Sequence, residues 1–219
     1  MWKTIAMLAL ALACALPAFA MEPERTVSGT SVTSTHDPRM RIDLPSTAKY
    51  VGADRWLLLG FDDCEMHLFV DADADKRIQR LYWVQFEAYI PSKPEAKYDY
   101  DSPRHVELGG LNFFLDTWAR REDGKSRTGS DREHIEKMIR DHGFKMPAQM
   151  TYARLVHLPT PDKRKELMII YGETLPDSVN ALDVDENPAK RAQWQQIDKA
   201  LVEHAKQRLT LTKPKEEFP

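Results

Sequence analysis

The sequence predicts an α+β fold: a single domain with a twisted, mostly antiparallel sheet, one short inserted helix, and a long C-terminal helix packed on one face. Runs of aromatic and β-branched residues with a strand period dominate the middle of the 219-residue chain. A helical period interrupts these runs after Ser130, and a longer one follows Asn187 near the end. Strands that dominate, with one inserted and one closing helix, are typical of this fold class.

The segment from Arg80 to Pro91 is the clearest strand. Its even positions are all apolar: Tyr82, Val84, Phe86, Ala88 and Ile90. Its odd positions mix aromatic residues with an amide and a carboxylate: Leu81, Trp83, Gln85, Glu87 and Tyr89. A strict period of two indicates that the even face lies in a core. The odd face is too aromatic for open solvent and too polar for a dry core, so we expect a helix, a loop or a ligand to cover it.

Before this strand, the sequence predicts a leader and a hairpin. Residues 21–40 are rich in Ser, Thr, Pro and charge without an apolar period, which predicts a flexible leader. A short strand over 41–44 stops at Pro45, and a second strand region covers 50–52 and 56–61. Asp62 and Asp63 are expected to form the turn into a returning strand over 64–70. The ordered domain is expected to span 41–211, with a frayed tail over 212–219.

After this strand come a proline-rich loop over 91–103 and strands over 104–108 and 111–118. Gly109-Gly110 between these strands indicates either a bulge or a tight hairpin turn. Residues 120–129 are polar and are expected to form a solvent loop.

The short helix is predicted to begin at Ser130 and to end before Gly143. Ser130 and Glu133 have the spacing of a capping box, and glycine is typical just past a helix end. Its apolar stripe consists of Ile135, Met138 and Ile139.

A second hairpin and the long helix complete the domain. Strands over 152–158 and 166–175 flank a proline-rich turn, and the second strand is apolar on both faces, which predicts a central position in the sheet. Asn187 and Pro188 start the last helix. Its apolar stripe consists of Trp194, Ile197, Leu201, Ala205 and Leu209.

The first 20 residues have the features of a secretory signal peptide. Lys3 precedes an apolar run over 5–16, and Ala18-Phe19-Ala20 provides a small-x-small cleavage pattern. The run is too short to span a membrane. Lipoprotein processing at Cys14 remains the alternative. We therefore predict an exported protein, periplasmic or secreted, without a membrane span.

Charge and cysteine content exclude several classes of protein. The chain has 31 basic and 34 acidic residues, with both signs interspersed, and lacks the basic stripe that nucleic acids require. Removal of Cys14 with the signal peptide would leave Cys64 alone, so no internal disulfide is possible. Cys64 shares a strand face with apolar residues, which predicts a buried thiol and a monomeric protein.

Two acidic runs imitate the start of a calcium-binding loop but do not complete one. After Asp71-Ala72-Asp73-Ala74-Asp75, an EF-hand requires Gly and Glu at the positions held by Lys76 and Tyr82. The run over 183–187 fails the same test. Acidic turns and helix caps account for both, so we predict no calcium and no other cofactor.

The sequence supports two hypotheses of function. The first is a non-catalytic module that binds a small apolar molecule or a protein partner on the face with Trp83, Gln85, Glu87 and Tyr89. The second is a hydrolase or metal-assisted enzyme that uses Glu87 with His105 or His157. No nucleophile elbow, phosphate loop or metal-binding histidine pair supports the second hypothesis. It requires the strands to bring these side chains together.

Overall fold

The computed structural model describes residues 21–124 and 126–213. The elements follow in the order β1 (Thr26–Ser28), β2 (Ser31–Ser34), β3 (Met40–Asp43), β4 (Lys49–Leu58), β5 (Asp62–Ala72), β6 (Ile78–Tyr89), β7 (His105–Leu108), β8 (Leu111–Arg121), α1 (Asp131–Asp141), β9 (Gln149–His157), β10 (Lys165–Thr174), α2 (Arg191–Arg208) and β11 (Thr210–Thr212). The described residues form a single domain of mostly antiparallel sheet with two α-helices, so the α+β prediction is confirmed. The predicted signal peptide lies outside the described residues.

The strands form two sheets. The large sheet has the order β4-β5-β6-β10-β9-β8-β7, and the small sheet has the order β1-β2-β3-β11. Strand β10 is fourth of seven, at the centre of the large sheet, as its apolar pattern predicts. No helix within the described residues is long and apolar enough to cross a membrane.

The prediction of a flexible leader over residues 21–40 is wrong where the strands β1 and β2 form. They pair with each other around Gly29, and Val32 is fully buried. The buried carboxylate of Glu65 accepts hydrogen bonds of 2.8 Å from the backbone amides of Glu24 and Arg25. The segment itself has too few apolar residues to predict an ordered structure. The residue that holds its backbone, Glu65, lies 40 positions after Arg25 in the sequence.

The even face of β6 lies in the main core, as predicted. Tyr82, Val84 and Phe86 pack between the two sheets together with Leu201 and other residues of α2. Only the C-terminal half of α2 contributes to this core. Trp194 and Ile197, nearer its start, pack instead against a separate cluster of loop residues after β10.

The sequence predicts the turn of the β7–β8 hairpin correctly but misplaces the turn of the β4–β5 hairpin. Gly109 and Gly110 both have positive φ and form the tight turn of the β7–β8 hairpin, one of the two predicted alternatives. The preceding hairpin does not turn at Asp62-Asp63, because Asp62 already belongs to β5. Its turn lies at Leu59 and Gly60, where Leu59 adopts φ 52° and is 71% exposed. Leucine rarely adopts a positive φ, so Leu59 itself gives no turn signal in the sequence.

Candidate functional site

The odd face of β6 is covered by the short helix α1, and a cleft of about 330 Å³ lies between this helix and the large sheet. The cleft therefore involves the face that the sequence singled out, while the long helix α2 covers the opposite face. Most of the cleft wall is apolar or aromatic, with side chains from the sheet, from α1 and from the segment that follows it. These include Leu81, Trp83, Trp118, Ile135, Met146 and Ile170.

The register of the sheet brings these side chains together. Trp118 of β8 pairs with Tyr152 of β9, and their rings stack with centroids 5.4 Å apart. The next position in this row is Gly172 of β10. A Cβ atom at Gly172 would lie 2.8 Å from the Tyr152 ring, so only glycine leaves room for the tyrosine. Leu81 of β6 completes the row and the floor of the cleft.

Charged side chains on one side of the cleft are paired with one another. Arg132 donates from Nε to Glu136 Oε1 at 2.6 Å and from Nη2 to Glu122. Glu122 also accepts a 2.8 Å hydrogen bond from the Tyr152 hydroxyl. Burial, followed by the charge of Glu122, raises the pKa of Tyr152 well above its ordinary value. This network fixes the start of α1 against β9.

Three other charged side chains of the cleft differ in their pairing. Arg154 donates to Asp116 Oδ2 at 2.7 Å. Asp131, the first residue of α1, has an enclosed Oδ1 atom without a hydrogen-bond partner among the described residues. The backbone of Arg120 pairs with Met150 of β9, but its half-buried side chain forms no hydrogen bond or ion pair with the part of the chain that the structure describes.

Of the four residues predicted to bind a ligand, Trp83 lines the cleft, whereas Gln85 and Glu87 lie beneath the surface. Trp83 donates from Nε1 to Gln85 Oε1, and Gln85 donates from Nε2 to Glu87 Oε1, both at 2.6 Å. Tyr89 lies farther along the strand, where it stacks on Tyr98. A hydrogen-bonded chain thus runs along β6 from the cleft to a buried carboxylate.

Glu87 belongs to a carboxylate cluster that also contains Asp62 of β5 and Glu166 of β10. Glu87 and Glu166 are directly paired in register, and all three side chains are buried. The loop between β6 and β7 supplies hydroxyl donors to this cluster. Tyr98 donates to Asp62 Oδ1 and Tyr100 donates to Glu166 Oε2, each at 2.6 Å.

Burial and mutual repulsion favour the protonated forms of these carboxyl groups. Burial, followed by the charges of Glu166 and Asp62, raises the pKa of Glu87 well above its ordinary value. Burial raises the pKa of Glu166 to about 7, although the hydrogen bond from Tyr100 opposes this shift. The pKa of Asp62 is raised as well, also chiefly by burial. A protonated carboxyl group carries no charge, so protonation lowers the free-energy cost of burying several carboxyl groups side by side.

Asp62, Cys64 and Glu87 each offer one atom of a type that binds metals, and these atoms lie within 4.8 Å of one another. Asp62 and Glu87 already accept hydrogen bonds from Tyr98 and Gln85. Burial, followed by the charges of Glu87 and Asp62, raises the pKa of the Cys64 thiol and favours its neutral form. With the Cys64 thiol donating to the backbone carbonyl of Asp62, all three residues take part in hydrogen bonds within the described residues.

The structure does not bring Glu87 together with the two histidines of the enzyme hypothesis. His105 is on β7, four strands from β6, or roughly 19 Å at the usual strand spacing. It is exposed and lies against the ring of Phe114. His157 packs on Phe113 and pairs in register with Leu167, both residues of the main core on the opposite face of the sheet. This arrangement provides no acid–base pair with Glu87.

Sequence reasoning missed the cleft residues on β8, β9 and β10, including Trp118, Tyr152 and Ile170. In β8 a signal was present, because Phe114 and Trp118 alternate with the apolar residues Phe113 and Leu115, so both faces carry large apolar side chains. A strand with this pattern requires cover on both faces.

Compared with protein-family profiles, with curated proteins and with solved structures, the chain shows no significant match.

Proposed function

We propose that this protein is an exported, non-catalytic binding module that holds a small apolar molecule in the cleft between α1 and the large sheet. The observation that carries the proposal is the cleft itself. Its volume of about 330 Å³ falls within the range of small-molecule sites, and its walls include Trp83, Trp118 and Ile170. The apolar run over 5–16 supports export.

The shape of the site favours a small molecule over a protein partner. Ligand sites are concave and mostly apolar, with a few polar groups that fix orientation. Taking about 30 Å³ for each water-sized group, the cleft has room for about ten non-hydrogen atoms. The buried carboxylate cluster lies below the cleft surface, so a ligand would contact Trp83 rather than Glu87.

The proposal is tested by filling the cleft. We expect octan-1-ol, a neutral molecule with nine non-hydrogen atoms, to bind the mature protein saturably with one site in titration calorimetry. Met146 lines the cleft and is half-buried, so Met146→Trp should occupy the space and abolish the binding heat. Met146→Leu keeps a similar volume and should bind as the wild type does. Equal binding by the tryptophan variant, or no saturable binding by the wild type, would contradict the proposal.

A further inference from the structure

The charged groups of the cleft differ in whether a ligand could use them. The carboxylates of Glu122 and Glu136 accept hydrogen bonds from Arg132, so both acids and this arginine are already paired. Arg154 is likewise paired, since it donates to Asp116. The two remaining charged residues of the cleft are Asp131 and Arg120.

Asp131 is a poor ligand contact in this structure. Its unbonded Oδ1 atom is enclosed by protein, so a molecule in the cleft does not reach that atom without movement of α1. Burial also raises the pKa of Asp131, which weakens its attraction for a cation.

Arg120, unlike Asp131, is placed to contact a ligand in the cleft. It lines the cleft, is half-buried, and has no ion-pair partner within the described residues. A guanidinium group presents five N–H donors in a planar fork that matches a carboxylate, and it stays charged at any physiological pH. The neighbouring wall is aromatic, formed by Trp118 two positions before it on the same face of β8.

We infer that the ligand is an anionic amphiphile: an apolar body on Trp83, Trp118 and Ile170, with a carboxylate or similar anionic group bound by Arg120. This inference rests on the proposed function, because it names the chemistry of the molecule held in the same cleft. The apolar body supplies the buried contact area, and the arginine selects the head group. Bidentate arginine–carboxylate pairs give geometric specificity as well as affinity.

Three probes with the same eight-carbon chain separate the head groups: octanoate, octan-1-ol and octylammonium. At pH 7.5, calorimetry of the mature protein should give an affinity for octanoate at least tenfold higher than for the alcohol, and octylammonium should bind weakest. A hydrogen bond to a charged group contributes about 1.5–3 kcal/mol, which corresponds to roughly tenfold to a hundredfold in affinity.

Arg120→Gln should reduce octanoate affinity about tenfold or more and leave octan-1-ol within twofold. Arg121→Gln is the matched control, since it removes the same charge from the next residue, which is exposed and paired with Asp123. The control should retain the preference for octanoate.

Several outcomes would overturn the inference while leaving the proposed function intact. Equal octanoate affinity in the Arg120→Gln variant would mean that Arg120 is an ordinary solvated side chain. Tightest binding of octylammonium would mean that the acidic residues select the head group. By contrast, if none of the three probes binds in a way that Met146→Trp blocks, the proposed function itself fails.

Discussion

The two faces of β6 differ in composition and in what covers them. On the even face, Tyr82, Val84 and Phe86 meet the small sheet and α2 in an apolar core. On the odd face, Trp83 borders a cleft, while Gln85 and Glu87 are buried beside further carboxyl groups. One face is filled by side chains from all around it, whereas the other retains both a cavity and polar groups.

This difference would allow a single strand to serve stability on one face and the proposed binding on the other. An apolar core gains free energy from every buried surface and tolerates no gap. A polar layer must instead satisfy each buried group, here through the Trp83–Gln85–Glu87 chain and the hydroxyls of Tyr98 and Tyr100. The following predictions test whether the two faces behave as differently as their contacts indicate.

The largest effect is expected on the even face. Phe86 is buried in the core, and the guanidinium of Arg25 lies 4.5 Å from its ring centroid. Phe86→Ala should lower the free energy of unfolding by about 3–5 kcal/mol, because it opens a cavity in a packed core. Urea denaturation measures this change. Leu57→Ala, at a leucine that is 44% exposed, is the control and should change stability by less than about 1 kcal/mol. A loss as small as the control's would show that the even face is not the main core.

The next largest effect is a dependence of stability on pH caused by the odd face. Glu166 has an ordinary pKa of 4.5 and a pKa of about 7 in the folded protein. It pairs in register with Glu87 and lies near Tyr100 and Arg154. Its protonation therefore stabilises the folded state fully below about pH 4.5, and this contribution is lost as the pH rises to about 7. The loss is on the order of 3 kcal/mol.

Urea denaturation at a series of pH values measures this contribution. Glu166→Gln keeps an oxygen that can accept from Tyr100 but cannot ionise, so the variant should lose a corresponding part of the slope between pH 4.5 and 7. If the variant and the wild type have the same slope, Glu166 is not a buried acid of raised pKa.

The smallest effect is expected at Glu87. Its raised pKa favours the neutral acid, and within the described residues it forms no ion pair and accepts a hydrogen bond from Gln85. Glu87→Gln is nearly isosteric with the protonated form. The melting temperature should therefore shift by no more than a few degrees, corresponding to less than about 1 kcal/mol. A loss of 3 kcal/mol or more would indicate that Glu87 is charged and paired with a cation.

Several elements were predictable from the sequence because their signals are local. The strand β6 follows from its alternation, the start of α1 from the Ser130 cap, whose side chain accepts from the Glu133 amide, and the β9–β10 hairpin from its proline-rich turn. Of the acidic run over 71–75, Asp73 to Asp75 lie in the expected turn, where Asp73 Oδ1 accepts from the amides of Asp75 and Arg77. Asp71 and Ala72 belong instead to β5, so the predicted turn begins too early. Each of these signals depends on residues within about ten positions of each other.

The sequence by itself determined the fold class, the core face of β6 and the unusual character of its odd face. Only the tertiary structure decided which helix covers that face, that β1 and β2 join a second sheet, and that Trp118, Arg120 and Ile170 complete a cleft with Trp83. The physical reason is that the alternation along a strand determines on which face of the sheet each side chain lies. The order of the strands depends instead on contacts between segments far apart in the chain. Strand order separates His105 from Glu87, and the register of β9 and β10 places His157 on the opposite face of the sheet; no spacing along the sequence reveals either.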